Sequence, residues 1–301
     1  MEDYMFEIEL KCPEKFNIDC TLDCGQTFRW RKYGNIWKGV VKDTALLLEK
    51  ENNILKVKSS KYSLFGMSLK EGLRYYFGFD DDLEKIHRFI KDLSASFNER
   101  TKKIALKALN DGQGIRILRQ DPFEATVEYI ISARNSITNI RNISDRISEY
   151  FKENEIKLDG EIFYKFPTFD QFESLNENNF RDFKTAFRAK YLSKLAETVC
   201  SELFFKKLYT MNEISIIEEL IKIKGIGYKI ASCITLFAYG KLNCFPVDIW
   251  IIRAMKDLFG IEGSTIRIME RGMEMFSPYA GYFQEILFRY YRLNYEGERK
   301  R

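Results

Sequence analysis

Lys224-Gly225-Ile226-Gly227-Tyr228-Lys229 lies between two helical patterns and joins them through a glycine-rich turn. Upstream, Ile214, Ile217, Leu220 and Ile221 fall on one face of a helix whose N-cap is Asn212, a side chain that can accept from a free first-turn N–H. Downstream, Ile230, Ile234 and Phe237 recur at helical spacing until Gly240. Two glycines around one apolar residue make a tight hairpin, because glycine permits positive φ and lets a partner approach the backbone closely. The stretch therefore reads as helix, hairpin, helix over about 212–240. Exposed amides at such a turn can hold a phosphate oxygen, which makes Gly225 and Gly227 candidate binding residues. A bare G-x-G would be an ordinary turn between helices, but Phe245-Pro246-Val247-Asp248 follows, with Pro246 and Asp248 at the mouth of a third helix beginning Ile249-Trp250-Ile251.

Outward from this core the two halves differ in texture. Phe28 to Arg31, Ile36 to Val41, Ala45 to Leu48 and Ile54 to Val57 are short β-rich runs separated by turn clusters, the spacing of an antiparallel meander. From about Leu83 onward, apolar residues recur at helical spacing; Pro122, Pro167, Pro246 and Pro278 mark helix starts or loops. The fold class is thus α+β: a small N-terminal antiparallel-sheet domain with helices over 1–100, then a large, mostly helical domain over 101–301.

Composition narrows the chemistry. The net charge of +4, from 48 basic and 44 acidic residues, permits a polyanionic partner without requiring one. No run of 18 uncharged apolar residues occurs, so no membrane span is expected. Met1-Glu2-Asp3-Tyr4 lacks the basic and apolar regions of a signal peptide, so an intracellular protein is expected, cytoplasmic and near the nucleoid if prokaryotic. Cys12, Cys20, Cys24, Cys200, Cys233 and Cys244 contain no C-x-x-C pair; free structural thiols in a reducing compartment, with no metal site, are the reading. The single histidine, His87, sits in an ordinary helical pattern, and its scarcity argues against Ser-His-Asp chemistry and histidine metal centres. Lysine and carboxylates are left as catalytic tools.

Taken together, Lys-x-Gly-Ile-Gly-x-Lys and Pro-Val-Asp resemble the signature of the helix-hairpin-helix DNA glycosylase superfamily. Lys229 and Asp248 stand at the positions of its catalytic lysine and aspartate, nineteen residues apart. Further motifs resemble the 8-oxoguanine DNA glycosylases within it. Asp23-Cys24-Gly25-Gln26-Thr27-Phe28-Arg29-Trp30 is similar to their S-G-Q-S-F-R-W, and Asp121-Pro122-Phe123-Glu124 to their D-P-x-E. Pro278-Tyr279-Ala280-Gly281-Tyr282-Phe283-Gln284, with Phe288, is similar to their P-Y-A-G-W-x-Q-x-x-x-F.

The resemblance implies base excision repair of duplex DNA containing 8-oxoguanine, with base flipping, attack of Lys229 on the anomeric carbon and β-elimination through a Schiff base. An amine attacks only when neutral, and an ordinary lysine pKa is about 10.4, so an apolar wall around the nucleophile would assist. Asp248 is implied to stabilise the cationic sugar and cap its helix. In the lesion, N7 is a hydrogen-bond donor where guanine has an acceptor, so an acceptor aimed at N7 separates the two. By resemblance that acceptor is the Gly25 carbonyl, while Phe288 and Cys233 sandwich the base and Gln284 bonds its Watson–Crick edge. Ala186-Phe187-Arg188-Ala189-Lys190-Tyr191 resembles the family's G-Y-R-A-R-Y, which makes Phe187 the intercalating wedge and Arg188 a contact to the orphaned base.

Ser132-Ala133-Arg134-Asn135-Ser136-Ile137-Thr138-Asn139 aligns with the family's S-S-N-N-N-I-x-R, with Arg134 at its first asparagine and Asn139 at its arginine. Arg134 and Asn135 are expected DNA contacts; Trp250 stands where a histidine usually follows Pro-Val-Asp. These departures bear on opposite-strand readout and one phosphate contact. No cofactor is required by this chemistry, a monovalent cation at the hairpin carbonyls is left open, and a monomer is expected. Two other readings stand beside this one: a monofunctional alkylpurine glycosylase, which keeps Asp248 without needing Lys229, and a non-catalytic DNA-binding protein using the hairpin structurally. Relatives with a C-terminal iron–sulfur loop are disfavoured because no cysteine follows Cys244.

Overall fold

The computed structural model describes residues 5–199 and 201–299, with side chains as far as Asn294; Met1 to Tyr4 and Cys200 lie outside the described residues. Strands β1 (Phe6–Lys11), β2 (Trp30–Tyr33), β3 (Ile36–Val41), β4 (Thr44–Glu51) and β5 (Ile54–Ser59) form an antiparallel sheet in the order β1-β5-β4-β3-β2. Two-residue turns set the register, pairing Val41 with Thr44 and Glu51 with Ile54. The sequence reading supplies four of these strands. It passes over β1, where Phe6, Ile8 and Leu10 alternate with Glu7, Glu9 and Lys11 and pair with β5. It also begins β2 two residues early: Phe28 leaves the sheet for the helical core, and Arg29 turns inward to Glu124.

One face of the sheet packs Leu10, Trp37, Leu46, Leu48, Leu55 and Val57 against Phe16, Leu22, Tyr76 and Phe77. A hairpin from within the helical half covers the other face. Glu155–Leu158 and Glu161–Tyr164 pair around Asp159-Gly160, both at positive φ, the backbone that an Asp-Gly turn favours. Leu158, Ile156 and Phe163 from this hairpin meet Val40, Ala45 and Leu47. Lys58 pairs with Asp159 at 2.9 Å, and Lys38 pairs with Glu161. Hydrophobic alternation and salt links thus fasten the two halves to each other.

Helices build the second, larger core. The Pro122–Ile131 helix starts at Asp121, whose carboxylate accepts from the amides of Phe123 and Glu124 at 3.0 Å, with proline at the first turn where no N–H is needed. Its Glu124 lies 3.8 Å from Arg29, and its Glu128 accepts from Ser144 at 2.6 Å. Burial raises both carboxyls, that of Glu128 to about 7, against the pull of Arg29. The helices Glu213–Ile221, Tyr228–Phe237 and Ile249–Phe259 take the predicted order, capped by Asn212, Gly227 and Asp248. On the first, Ile216, Ile217 and Leu220 are buried while Ile214 is 45% exposed, so the apolar face is rotated from the predicted one, its first turn extending past the core. The C-terminal helix Ala280–Arg299 contributes buried Tyr282, Phe283, Ile286 and Leu287 to this core.

Free thiols are found at Cys12, Cys20, Cys24, Cys233 and Cys244, all buried, and among the described residues no three His, Cys, Asp or Glu side chains group as a metal site. His87 is buried in the Leu83–Ser94 helix, where burial lowers it to about 4. No helix is long and apolar enough to cross a membrane among the described residues.

Candidate active site

Gly225 adopts φ +101°, and a Cβ there would lie 2.6 Å from Tyr191, so the hairpin needs glycine for both conformation and space. Gly227 differs from the sequence expectation. Its φ is −99°, an ordinary value, and a Cβ would meet nothing within 4 Å. What Gly227 provides is an exposed helix N-terminus whose first amides lack side-chain caps, open to an anion.

Lys229 is the second residue of the helix that follows, so the hairpin fixes where its side chain leaves the backbone. Its Nζ lies 3.4 Å from Ser132 Oγ and 5.4 Å from the centroid of the Tyr129 ring. Tyr129 is itself held: its hydroxyl donates to the Gln26 carbonyl at 3.0 Å and its ring stacks on Phe237 at 6.0 Å. Asp248 Oδ1 accepts from the amides of Trp250 and Ile251, both at 2.9 Å, which caps the third helix. Burial raises the Asp248 carboxyl, opposed by those amides and by the positive charge of Lys229.

These groups line one cavity of about 700 Å³, large enough for a purine. Gly25, Arg134, Asn135, Cys233, Trp250, Gln284 and Phe288 line it with Lys229 and Asp248, so nine of the thirteen residues singled out from the sequence converge there. Cys233 stands one turn after Lys229; burial pushes its thiol up to about 11, so it is a neutral apolar wall. Gln284 is 4% exposed, and its Oε1 is buried with no hydrogen-bond partner. An unpaired buried acceptor costs about 1–3 kcal/mol, and a bound donor would recover it.

The loop carrying Gly25 is fastened from three sides. Gln26 is buried and donates through Nε2 to the Arg116 carbonyl at 2.8 Å, while its Oε1 accepts from the Leu118 amide at 2.9 Å. Arg292, from the C-terminal helix, donates to the carbonyls of Cys24 and Asp23 at 3.2 and 3.0 Å and lies over the Phe288 ring. Gly25 itself has φ +100°, where an L side chain is strained.

Phe187, Arg188, Gly225 and Gly227 lie outside the cavity lining. Phe187 is 46% exposed on a short turn, Ala186–Arg188, free to enter a base stack. Arg188 is buried instead, donating to the carbonyls of Ala133, Arg134 and Thr185 and resting 4.5 Å from the Phe187 ring. In this conformation Arg188 braces the Ser132–Asn139 loop, and a contact to an orphaned base would require those bonds to break. Arg134 is exposed at φ +50°, a region asparagine tolerates better than arginine. Asn135 Oδ1 accepts from Asn139 Nδ2 at 2.8 Å, and its own amide donates to the Ile131 carbonyl at 3.1 Å. Sequence reasoning missed Tyr129, Phe237 and Glu285 in the lining. The first two look like ordinary core aromatics, and Glu285 is masked by its neighbour Gln284.

Residues 9–126 match the family model described as 8-oxoguanine DNA glycosylase, N-terminal domain, and residues 127–278 match that of the HhH-GPD superfamily base excision DNA repair proteins. Among solved structures, the 8-oxoguanine glycosylase/lyase of Clostridium acetobutylicum, in complex with DNA containing cytosine opposite 8-oxoguanine, superposes with a TM-score of 0.82. It is 30% identical, over 97% of this chain and 99% of that one. A probable N-glycosylase/DNA lyase of Methanothermobacter thermautotrophicus is 24% identical, spanning 92% of this chain and 94% of its own length. An N-glycosylase/DNA lyase of Arabidopsis thaliana is 25% identical, spanning 94% and 79%.

Proposed function

This chain belongs to the 8-oxoguanine DNA glycosylase/lyase family of the helix-hairpin-helix superfamily, and from that premise we propose how its own residues excise the base and nick the strand. The observation that carries the assignment is the juxtaposition of Lys229, Asp248 and the orphaned Gln284 acceptor in one cavity. Extruding a nucleotide costs a few kcal/mol in lost stacking and pairing. Phe187, exposed beside the hairpin, fills the vacated stack, and the amides around Gly227 hold a backbone phosphate. A monovalent cation at the hairpin carbonyls would strengthen that phosphate contact and take no part in the chemistry.

With the base in the cavity, Gln284 Oε1 accepts from its Watson–Crick edge and the Gly25 carbonyl accepts from N7–H. Guanine would present a lone pair to that carbonyl and be rejected. The Lys229 amine forms a bond to C1′ as the bond from C1′ to the base breaks, and Asp248 offsets the positive charge that develops on the sugar. Opening of the sugar ring leaves a Schiff base, and loss of a C2′ proton expels the 3′ phosphate. Every group comes from one chain, so a monomer suffices. Borohydride trapping is the deciding experiment: duplex DNA carrying 8-oxoguanine should be reduced onto the protein as a covalent adduct, and excision without an adduct would point to a monofunctional enzyme.

Gln284→Ala should lower single-turnover excision of 8-oxoguanine by about tenfold or more, the worth of one base-edge contact. Incision at a preformed abasic site, which has no base edge to read, should fall far less. Equal losses on both substrates would place Gln284 in the fold.

Discrimination by the base opposite the lesion should be weak. Arg134 holds a strained backbone and an exposed guanidinium, and Asn135 already spends donor and acceptor on Ile131 and Asn139. Few fixed donors remain for cytosine N3 and O2. Excision opposite the four bases should therefore span about tenfold, and a cytosine preference of about a hundredfold would refute this.

A further inference from the structure

Glu285 follows Gln284 on the C-terminal helix and lines the same cavity. It is 2% exposed, and its Oε1 is buried without a hydrogen-bond partner. Spacing places Glu285, Phe288 and Arg292 at i, i+3 and i+7, one helix face. The outer two of that triplet meet the Gly25 loop, because a Cβ at Gly25 would lie 3.8 Å from Phe288 and 3.4 Å from Arg292. Glu285 is one turn deeper on this face, beside Cys24. The thiol of Cys24 lies 3.2 Å from the Thr21 carbonyl and also serves the Glu285 carboxyl, which still leaves Glu285 Oε1 without a partner. A carboxylate in this setting is costly unless something donates to it.

The cavity thus holds two buried side-chain acceptors without a hydrogen-bond partner, Gln284 Oε1 and Glu285 Oε1, and Gly25 lines it beside them. A flipped 8-oxoguanine carries donors at N1, at the 2-amino group and at N7, more than any unmodified base presents. Resting on the assignment of this cavity to base excision, we propose that Glu285 is a specificity-determining residue whose carboxylate accepts a hydrogen bond from the flipped base at the Gly25 end of the pocket. A charged acceptor makes a stronger bond than a neutral one, and it penalises a base that offers a lone pair in the same place.

The groups facing Glu285 come from every element around it: Cys24 on the Gly25 loop, Tyr129, Cys233 and Asp248 across the cavity, and Arg289 and Arg292 on its own helix. Burial raises its carboxyl to about 7, with Cys24, Arg292 and Arg289 drawing it down and Asp248 pushing it up. Only the ionised form lacks a proton and accepts through both oxygens. Both reactions use the neutral Lys229 amine, but only excision involves the base, so excision should decline more steeply than abasic-site incision as pH falls through about 7.

The test is single-turnover kinetics of the full chain and of Glu285→Gln, on 8-oxoguanine duplex and on the same duplex with a preformed abasic site, from pH 5.5 to 8.5 as a chosen range on the order of the shifted titration. Expected for Glu285→Gln are a loss of about tenfold or more in excision above neutrality, an acid limb no steeper than that of abasic-site incision, and abasic-site incision within about twofold of the parent. Excision within about twofold of the parent, or an unchanged pH profile, overturns the inference. So does an equal loss on both substrates, which would mean that Glu285 supports the fold. Excision that rises as pH falls would make the residue a donor and refute the acceptor assignment. If the parent neither excises the lesion nor incises the abasic site, the base-excision reading itself fails, and this inference goes with it.

Discussion

Lys229→Gln should abolish covalent trapping and reduce excision by on the order of 10⁴ or more, the scale seen when a nucleophile is removed from an enzyme whose catalytic residues act as a unit. Glutamine is similar in length and keeps a donor for Ser132 Oγ, which lies 3.4 Å from the native Nζ. Packing against Tyr129 should persist, so the variant should fold. Affinity for lesion duplex should fall only several-fold, because the phosphate site consists of main-chain amides around Gly227 and the base contacts lie at Gln284 and Gly25. Three measurements separate the possibilities: borohydride trapping, single-turnover excision, and equilibrium binding to lesion duplex. A variant that still forms the adduct would transfer the nucleophile role to another amine. One that loses binding and chemistry in equal measure would make Lys229 a DNA contact.

The helix-hairpin-helix was legible because three independent local rules agree there: a capped amphipathic helix, a turn that requires glycine, and a second cap at Asp248. Within it, the two glycines looked equivalent and are not. Tyr191, 38 residues or fewer from the hairpin in sequence but placed against it only by folding, is what makes Gly225 irreplaceable. The β-meander was legible for the same reason, and β1 was readable from its strict alternation. The Asp159-Gly160 hairpin carried an equally clear signal, overlooked inside a helical background. Its purpose, covering the outer face of the sheet, could not be seen locally, since that face alternates only relative to a partner at least 101 residues away.

Much of the cavity was legible only because the motifs could be compared with a family. Lys229, Asp248, Gly25 and Gln284 come from separate segments, and nothing in local periodicity brings them together. Glu285 shows the limit. Adjacent glutamine and glutamate in an apolar helix could mean one buried and one exposed residue, since neighbours on a helix point about 100° apart. Here both are buried, because the Gly25 loop folds over the side that would otherwise face solvent. Arg188 is a different case. Its loop motif resembles one that contacts the orphaned base, and without DNA, folding directs its guanidinium onto backbone carbonyls, a placement that no local pattern announces.

Asp248→Asn should lower excision by about a hundredfold or more, in the range expected when one preorganised electrostatic group is removed from a developing charge, while leaving the protein as stable as the parent or more so at neutral pH. The cap survives the substitution: Oδ1 accepts from Trp250 and Ile251 at 2.9 Å, and asparagine caps as well as aspartate. What disappears is the charge. Burial holds this carboxyl above its ordinary value, so the folded state binds its proton more tightly than the unfolded chain does. Below the unfolded value both states are protonated and the shift has no effect. As pH rises past the unfolded value, the unfolded chain ionises first, and the folded state loses relative stability until the carboxyl has ionised in both. At neutral pH the native aspartate is therefore a liability to the fold that asparagine removes. Thermal unfolding at pH 7 and pH 4 should show the variant gaining on the parent at the higher pH and converging at the lower. The low excision rate should persist at saturating DNA, placing the loss in the chemical step. A folded variant that excises at the parental rate would reduce Asp248 to a helix cap, and one that melts well below the parent at pH 7 would show that its charge holds the third helix in place.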